Sequence, residues 1–168
     1  MSDIVITDPS QLTDETLDQI VDRFQNHGAT FKEIKGISDD ELEAMYALAH
    51  GQLQNGRFEQ AETMFRFLCL NDHLSHKYWL AMGICLKEQE KFEEAVNALG
   101  VAGLLNMEDP RAAFAAAECH VRLGNRTESV AALESAISFA GDKPEFAATR
   151  QRAEMMLKVL NQSNDQDS

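Results

Sequence analysis

The sequence predicts an all-α fold: tandem helix pairs with a helical arm in front and a capping helix behind. Three observations predict it. An ungapped period runs through the middle of the chain, the composition favours helices, and turn signals fall where the period needs them. Alanine, leucine and glutamate are abundant, whereas glycine (nine) and proline (three) are few among 168 residues. With 44% hydrophobic and 26% charged residues, the chain has enough apolar surface for the core of one domain.

Three stretches of 34 residues align without a gap: 42–75, 76–109 and 110–143. This is the period of the tetratricopeptide repeat, a helix–turn–helix unit. Small residues recur where the two helices of a unit must cross closely. Ala49, Gly83 and Ala117 hold the eighth place, and Ala61, Ala95 and Ser129 the twentieth. Leu68, Ala102 and Ala136 hold the twenty-seventh. Phe65, Leu99 and Leu133, at the bulky twenty-fourth place, are expected to fill the core. Gly56, Glu90 and Gly124 fall at the turn inside each unit, a left-handed position that suits glycine. The register departs from the usual pattern at Met45 and Ala113, where an aromatic residue is common, and at Arg126, where the other repeats have Phe58 and Phe92.

The flanking signals divide the chain further. Residues 1–37 form the arm, in which Leu17, Ile20, Val21 and Phe24 make one apolar stripe at helical spacing. The stripe suits packing on the first repeat or a dimer contact, and the residues alone do not choose. Thr30-Phe31-Lys32-Glu33 opens a short helix that Gly36 stops. Ser38-Asp39-Asp40-Glu41 has capping-box spacing at the head of the repeat region, 38–143. Asp109-Pro110 offers an N-cap acid followed by proline at the first helical position. Gly141 to Pro144 breaks the chain before a capping helix, 144–161. Phe146, Met155, Met156, Val159 and Leu160 are expected to cover the end of the stack. A polar tail, 162–168, is expected to be disordered.

In repeats of this type the first helix of each pair lines a concave face, and the second, fifth, ninth, twelfth and thirteenth places point into it. Here those places hold Glu43, Tyr46, His50, Leu53 and Gln54, then Lys77, Leu80, Ile84, Lys87 and Glu88. In the third repeat they hold Arg111, Phe114, Glu118, Val121 and Arg122. Tyr46, Leu53, Leu80, Ile84, Phe114 and Val121 are apolar or aromatic yet are expected to face an open groove. An apolar strip rimmed by charge marks a protein-binding surface. The predicted peptide groove is Tyr46, His50, Leu53, Leu80, Ile84, Lys87, Phe114 and Val121. The lysine–asparagine clamp with which some such repeats grip a terminal carboxylate is absent from these places. An extended peptide with spaced hydrophobic side chains fits them better.

Other chemistry is excluded or weak. A net charge of −13 opposes binding to nucleic acid and to anionic membrane surfaces. No segment is long and apolar enough to insert into a membrane. Three cysteines and a start without a secretory signal point to a soluble protein with free thiols in a reducing compartment. His73 and His76 have metal-like spacing but lack further ligands. Cys119 and His120 are neighbours and point to different faces of a helix. No glycine-rich phosphate loop is present. Neither a cofactor, a metal nor a catalytic residue is expected, and the chain does not read as an enzyme.

Several segments resemble a known family. Gly28-Ala29-Thr30-Phe31-Lys32 with Gly36-Ile37-Ser38, and the run from Gly56 to Cys69 with its Phe65-Arg66-Phe67-Leu68-Cys69 core, are similar to segments of the class II chaperones of bacterial type III secretion, the SycD/LcrH/IpgC family. Asp109-Pro110-Arg111 and Ala116-Ala117-Glu118-Cys119 also match. The resemblance covers about residues 14–160. It implies a bacterial cytoplasmic chaperone that keeps hydrophobic, pore-forming translocator proteins soluble and apart before secretion. It further implies that an extended N-terminal translocator segment lies in the groove against Tyr46, Leu53, Leu80 and Phe114. Leu53 departs where some members carry tyrosine. The family's habit of dimerising through N-terminal helices turns the Leu17-to-Phe24 stripe towards a homodimer contact in the free protein. A general repeat scaffold and a co-activator of a transcriptional regulator of secretion genes remain the alternative readings.

Overall fold

Helix-stop residues set the frame of the structure, a computed structural model that describes residues 30–166. The described helices are α1 (Phe31–Lys35), α2 (Asp39–Gln54), α3 (Phe58–Asn71), α4 (His76–Glu88), α5 (Phe92–Leu105), α6 (Pro110–Leu123), α7 (Arg126–Ala140) and α8 (Ala147–Gln166). A short 3₁₀ turn, Pro144–Phe146, precedes α8. Among the described residues there is no strand. The stripe Leu17, Ile20, Val21 and Phe24 lies outside them. The described residues fall into two compact units, divided between Leu74 and Ser75.

In the first unit, α2 and α3 pair antiparallel. Ser38 caps α2: its hydroxyl accepts from the Glu41 N–H while the Glu41 carboxylate takes the Ser38 N–H at 2.9 Å. Gly56 turns the chain at φ 72°, and α3 folds back. Ala49 and Ala61 of this pair are fully buried, and so are Leu42, Phe65 and Leu68. The short α1 is tied to the end of α3 by Lys32, which donates to Asp72 at 2.8 Å and to Asp39 at 2.9 Å. Hydrogen bonds to these two carboxylates, Asp72 first, hold the ammonium well above the ordinary lysine range.

In the second unit, α4–α5 and α6–α7 form two more pairs, and α8 closes against α7 and α6. Gly83 is the close approach of the first pair. A side chain there would place its Cβ 2.5 Å from Cγ of Leu99, so only a bare Cα fits. Gly124 turns at φ 74°, whereas the equivalent turn after α4 uses Glu90 at φ 59°. Glu90 thus holds a left-handed backbone without a glycine's freedom, at a cost of about 1 kcal/mol.

The last helix departs from expectation. It runs through Gln166 rather than ending at 161 before a disordered tail. No glycine or proline follows Pro144, so no stop signal interrupts it. The predicted covering set is only partly used. Ala153 is buried with Phe114, Ala117, Leu133 and Ala136, and Met156, Leu157 and Leu160 pack against that cluster. Met155 and Val159 stay exposed, because they fall on the opposite side of α8 from Ala153.

His76 and Asp109 knit the helix starts of the second unit. Nε2 of His76 lies 2.9 Å from Asp109 and its Nδ1 lies 2.8 Å from the Ala102 carbonyl. Asp109 also caps α6 by accepting the Arg111 N–H, and it pairs with the Arg111 guanidinium. Burial alone would raise the Asp109 carboxyl. The hydrogen bonds from Arg111 and His76 outweigh it and lower the group from 3.8 to about 2. A carboxylate depressed in the fold contributes stability above its unfolded value and loses it as pH falls through its folded value. Between pH 4 and 2 the second unit is therefore expected to lose ~1–2 kcal/mol through this group, allowing for solvent screening at the half-exposed Arg111. Asp109→Asn should flatten that part of a urea-midpoint-against-pH curve.

Candidate functional site

The inward places of the first unit lie on α2. Tyr46, His50 and Leu53 are half-buried, and Glu43 and Gln54 are exposed. The Tyr46 ring packs at 6.0 Å, tilted, against the buried Phe65 and at 5.8 Å against His50. Tyr46 is thus positioned by the α2–α3 core while part of its surface stays open.

In the second unit the inward places do not all behave alike. Ile84, Lys87, Glu118 and Val121 are half-buried, and Lys77, Glu88, Arg111 and Arg122 are exposed. Leu80 and Phe114, expected to face an open groove, are each only 6% exposed. Leu80 sits on α4, which packs against both α5 and α6. Phe114 belongs to the cluster beneath α8, and the guanidinium of Arg152 lies 4.6 Å over its ring.

Charged residues link these positions. Glu118 accepts from Lys87 at 2.6 Å and from Arg152 at 3.0 Å. Arg122 donates to Glu90 at 2.9 Å and lies 4.7 Å over the Phe92 ring. Between them opens a hollow of about 380 Å³ lined by Lys87, Glu90, Phe92, Val121, Arg122 and Met156, among others. Its lining mixes charged side chains with the apolar Phe92, Val121 and Met156, which suits a hydrophobic side chain carried on a polar backbone.

Sequence reasoning did not place Phe92, Glu90, Arg152 or Met156 in the site: it read Glu90 as a turn residue and Met156 as part of the end cover. For the last two a signal existed. Extending the 34-residue frame one step, from Pro144, puts Arg152 at the ninth place and Met156 at the thirteenth, both inward-pointing. Ala153 then shares the tenth place with Cys85 and Cys119, and all three are buried. The α8 helix therefore behaves as the first helix of a fourth repeat.

Among the described residues no group of three histidine, cysteine or acidic side chains is placed to hold a metal ion. His76 is engaged with Ala102 and Asp109 instead. The three thiols are buried; burial pushes Cys69 up to about 12 and Cys119 up to about 11, so neither is a ready nucleophile. No helix among the described residues is long and apolar enough to cross a membrane.

Paired helices in one register, with polar and apolar side chains presented from the first helix of each pair, define a tetratricopeptide-repeat binding protein. No family model matches the chain. It is 31% identical over 140 residues to the low calcium response locus protein H of Yersinia pseudotuberculosis, covering 83% of each chain. Among solved structures it is similar to PcrH bound to the chaperone-binding region of PopD, from Pseudomonas aeruginosa (33% identity, TM-score 0.75, 77% of this chain and 97% of the other). It is also similar to the Yersinia enterocolitica type III secretion chaperone SycD in complex with a peptide of the translocator YopD (31% identity, TM-score 0.74, 76% and 98%). The chain belongs to this family, the type III secretion translocator chaperones.

Proposed function

We propose that this protein acts in the bacterial cytoplasm as a chaperone of hydrophobic translocators, holding an extended segment of each against the inward face of its repeats. The observation that carries the reading is chemical. Tyr46, Leu53, Ile84 and Val121 are large apolar side chains left half-buried at inward places, where a merely solvated face has no use for them. PcrH and SycD, which share the fold and about a third of the residues, are each held with a translocator segment. The client-contacting residues are Tyr46, His50 and Leu53 in the first unit and Leu80, Ile84, Lys87, Phe114 and Val121 in the second. Holding a client by mass action lowers the pool of its aggregation-prone state without any catalytic step. The free protein pairs as a homodimer through Leu17, Ile20, Val21 and Phe24. It binds neither nucleic acid nor membrane, in keeping with its net charge of −13.

The test is co-expression with type III secretion translocators, followed by pull-down. Tyr46→Ala and Ile84→Ala are the informative variants, because Phe114→Ala would also unpack the cluster under α8. The expected result is a soluble complex with the parent, reduced at least tenfold in both variants while their helical circular dichroism is unchanged. Equal retention by parent and variants, or no retention by the parent, overturns the reading.

A further inference from the structure

We propose that Arg152 is a lid supplied by the chain itself: its guanidinium occupies the face of Phe114 in the free protein, and an apolar side chain of the client takes its place. The proposal rests on the reading of the inward places as the client site, and it adds a gate to that site.

The geometry separates the lid from the support beneath it. Phe114 is backed by Ala117, Leu133, Ala136 and Ala153, so the ring cannot turn aside. Its remaining face carries the Arg152 guanidinium at 4.6 Å. Arg152 adjoins Ala153, which is fully buried. The helix thus stays anchored while the arginine side chain swings about its own torsions. The swing leaves no charge stranded. The Arg152 side chain is already 60% exposed and moves into water. Glu118 keeps Lys87 at 2.6 Å. The Arg152 end of both contacts is exposed, and an ion pair and a cation–ring contact so placed are each weak, so the lid is easily displaced. Both are also directional enough to close over a ring that would otherwise be presented to water. Glu118, which holds Arg152, also lines the hollow together with Val121 and Met156, and this gives a side chain room to approach.

Closing the lid is a population cost on binding: affinity falls by the fraction of molecules in which Phe114 is covered. Arg152→Ala should therefore bind a client segment roughly three- to tenfold more tightly than the parent, the range set by the two weak contacts removed. Arg152→Lys keeps the pairing with Glu118 but has no flat face to lay on the ring, and should fall between. Raising salt should tighten the parent's binding and leave Arg152→Ala less affected, because screening loosens the Glu118 pair.

Two measurements on the full chain decide it. The first is titration with the chaperone-binding region of PopD as the probe, with Tyr46→Ala as the control for the client site. Where the parent binds the probe, tighter binding by Arg152→Ala supports the lid, and equal or weaker binding overturns it. The second needs no client. With 4-fluorophenylalanine at position 114, the fluorine solvent-isotope shift reads ring exposure directly. It should rise in Arg152→Ala and in Glu118→Gln, with circular dichroism unchanged. An unchanged shift means Arg152 only fastens α8, and the lid is overturned. If neither the parent nor Arg152→Ala binds the probe while the fluorine shift still rises in the variants, the client reading fails for that segment and the covering of Phe114 by Arg152 stands.

Discussion

Phe65→Ala is expected to cost ~3–5 kcal/mol, the largest loss of any single truncation in the first unit. Phe65 is completely buried where α2 crosses α3, and it is among the largest side chains so enclosed. Ala49 and Ala61, also fully buried in this helix pair, are too small to fill the space it would leave. The same ring supports Tyr46 at 6.0 Å, so the variant should also lose client retention. Urea unfolding followed by circular dichroism reads the first effect, and Phe65→Leu, which refills most of the volume, should recover most of it. A midpoint unchanged in Phe65→Ala would mean that the first pair is not held by this crossing.

Gly83→Val is the second large effect, expected at ~2–3 kcal/mol. The added Cβ would lie 2.5 Å from Cγ and 2.7 Å from Cδ2 of Leu99, and 3.3 Å from the Leu99 backbone nitrogen. Leu99 is itself fully enclosed, so it has nowhere to retreat, and α4 and α5 must separate. Valine is a better helix former than glycine by a few tenths of a kcal/mol, which offsets only a fraction of the clash. A melting midpoint lower by about 5–10 °C is the expected reading for a chain of this size. Gly100→Val serves as the control. Nothing lies within 4 Å of a Cβ built at Gly100, on the outer side of α5.

These two residues also show why so much of the fold was legible in the sequence. The eighth and twenty-fourth places of the period are packing constraints repeated in each unit, so Ala49, Gly83 and Ala117 announce the crossings without coordinates. The turns were legible for a similar reason: a left-handed backbone selects glycine, as at Gly56 and Gly124. The end of α8 was less legible, since polar residues without a stop signal read equally as tail or helix. The site was legible in its register but not in its exposure. Leu80 and Phe114 occupy inward places, yet whether an inward place is open depends on which side chains reach over it. Arg152 reaches Phe114 from 38 positions away in sequence. Its own place in the period becomes visible only if the frame is carried past the last recognisable repeat.

The strained turn at Glu90 bears on how such a chain can be redesigned. Averaging the three turns would install glycine at this point, relaxing the backbone and raising stability. It would also delete the carboxylate that holds Arg122 across the Phe92 ring, and with it one wall of the hollow. The repeats are therefore interchangeable as scaffolding and individual as surfaces. An idealised consensus version of this protein would fold better and recognise less.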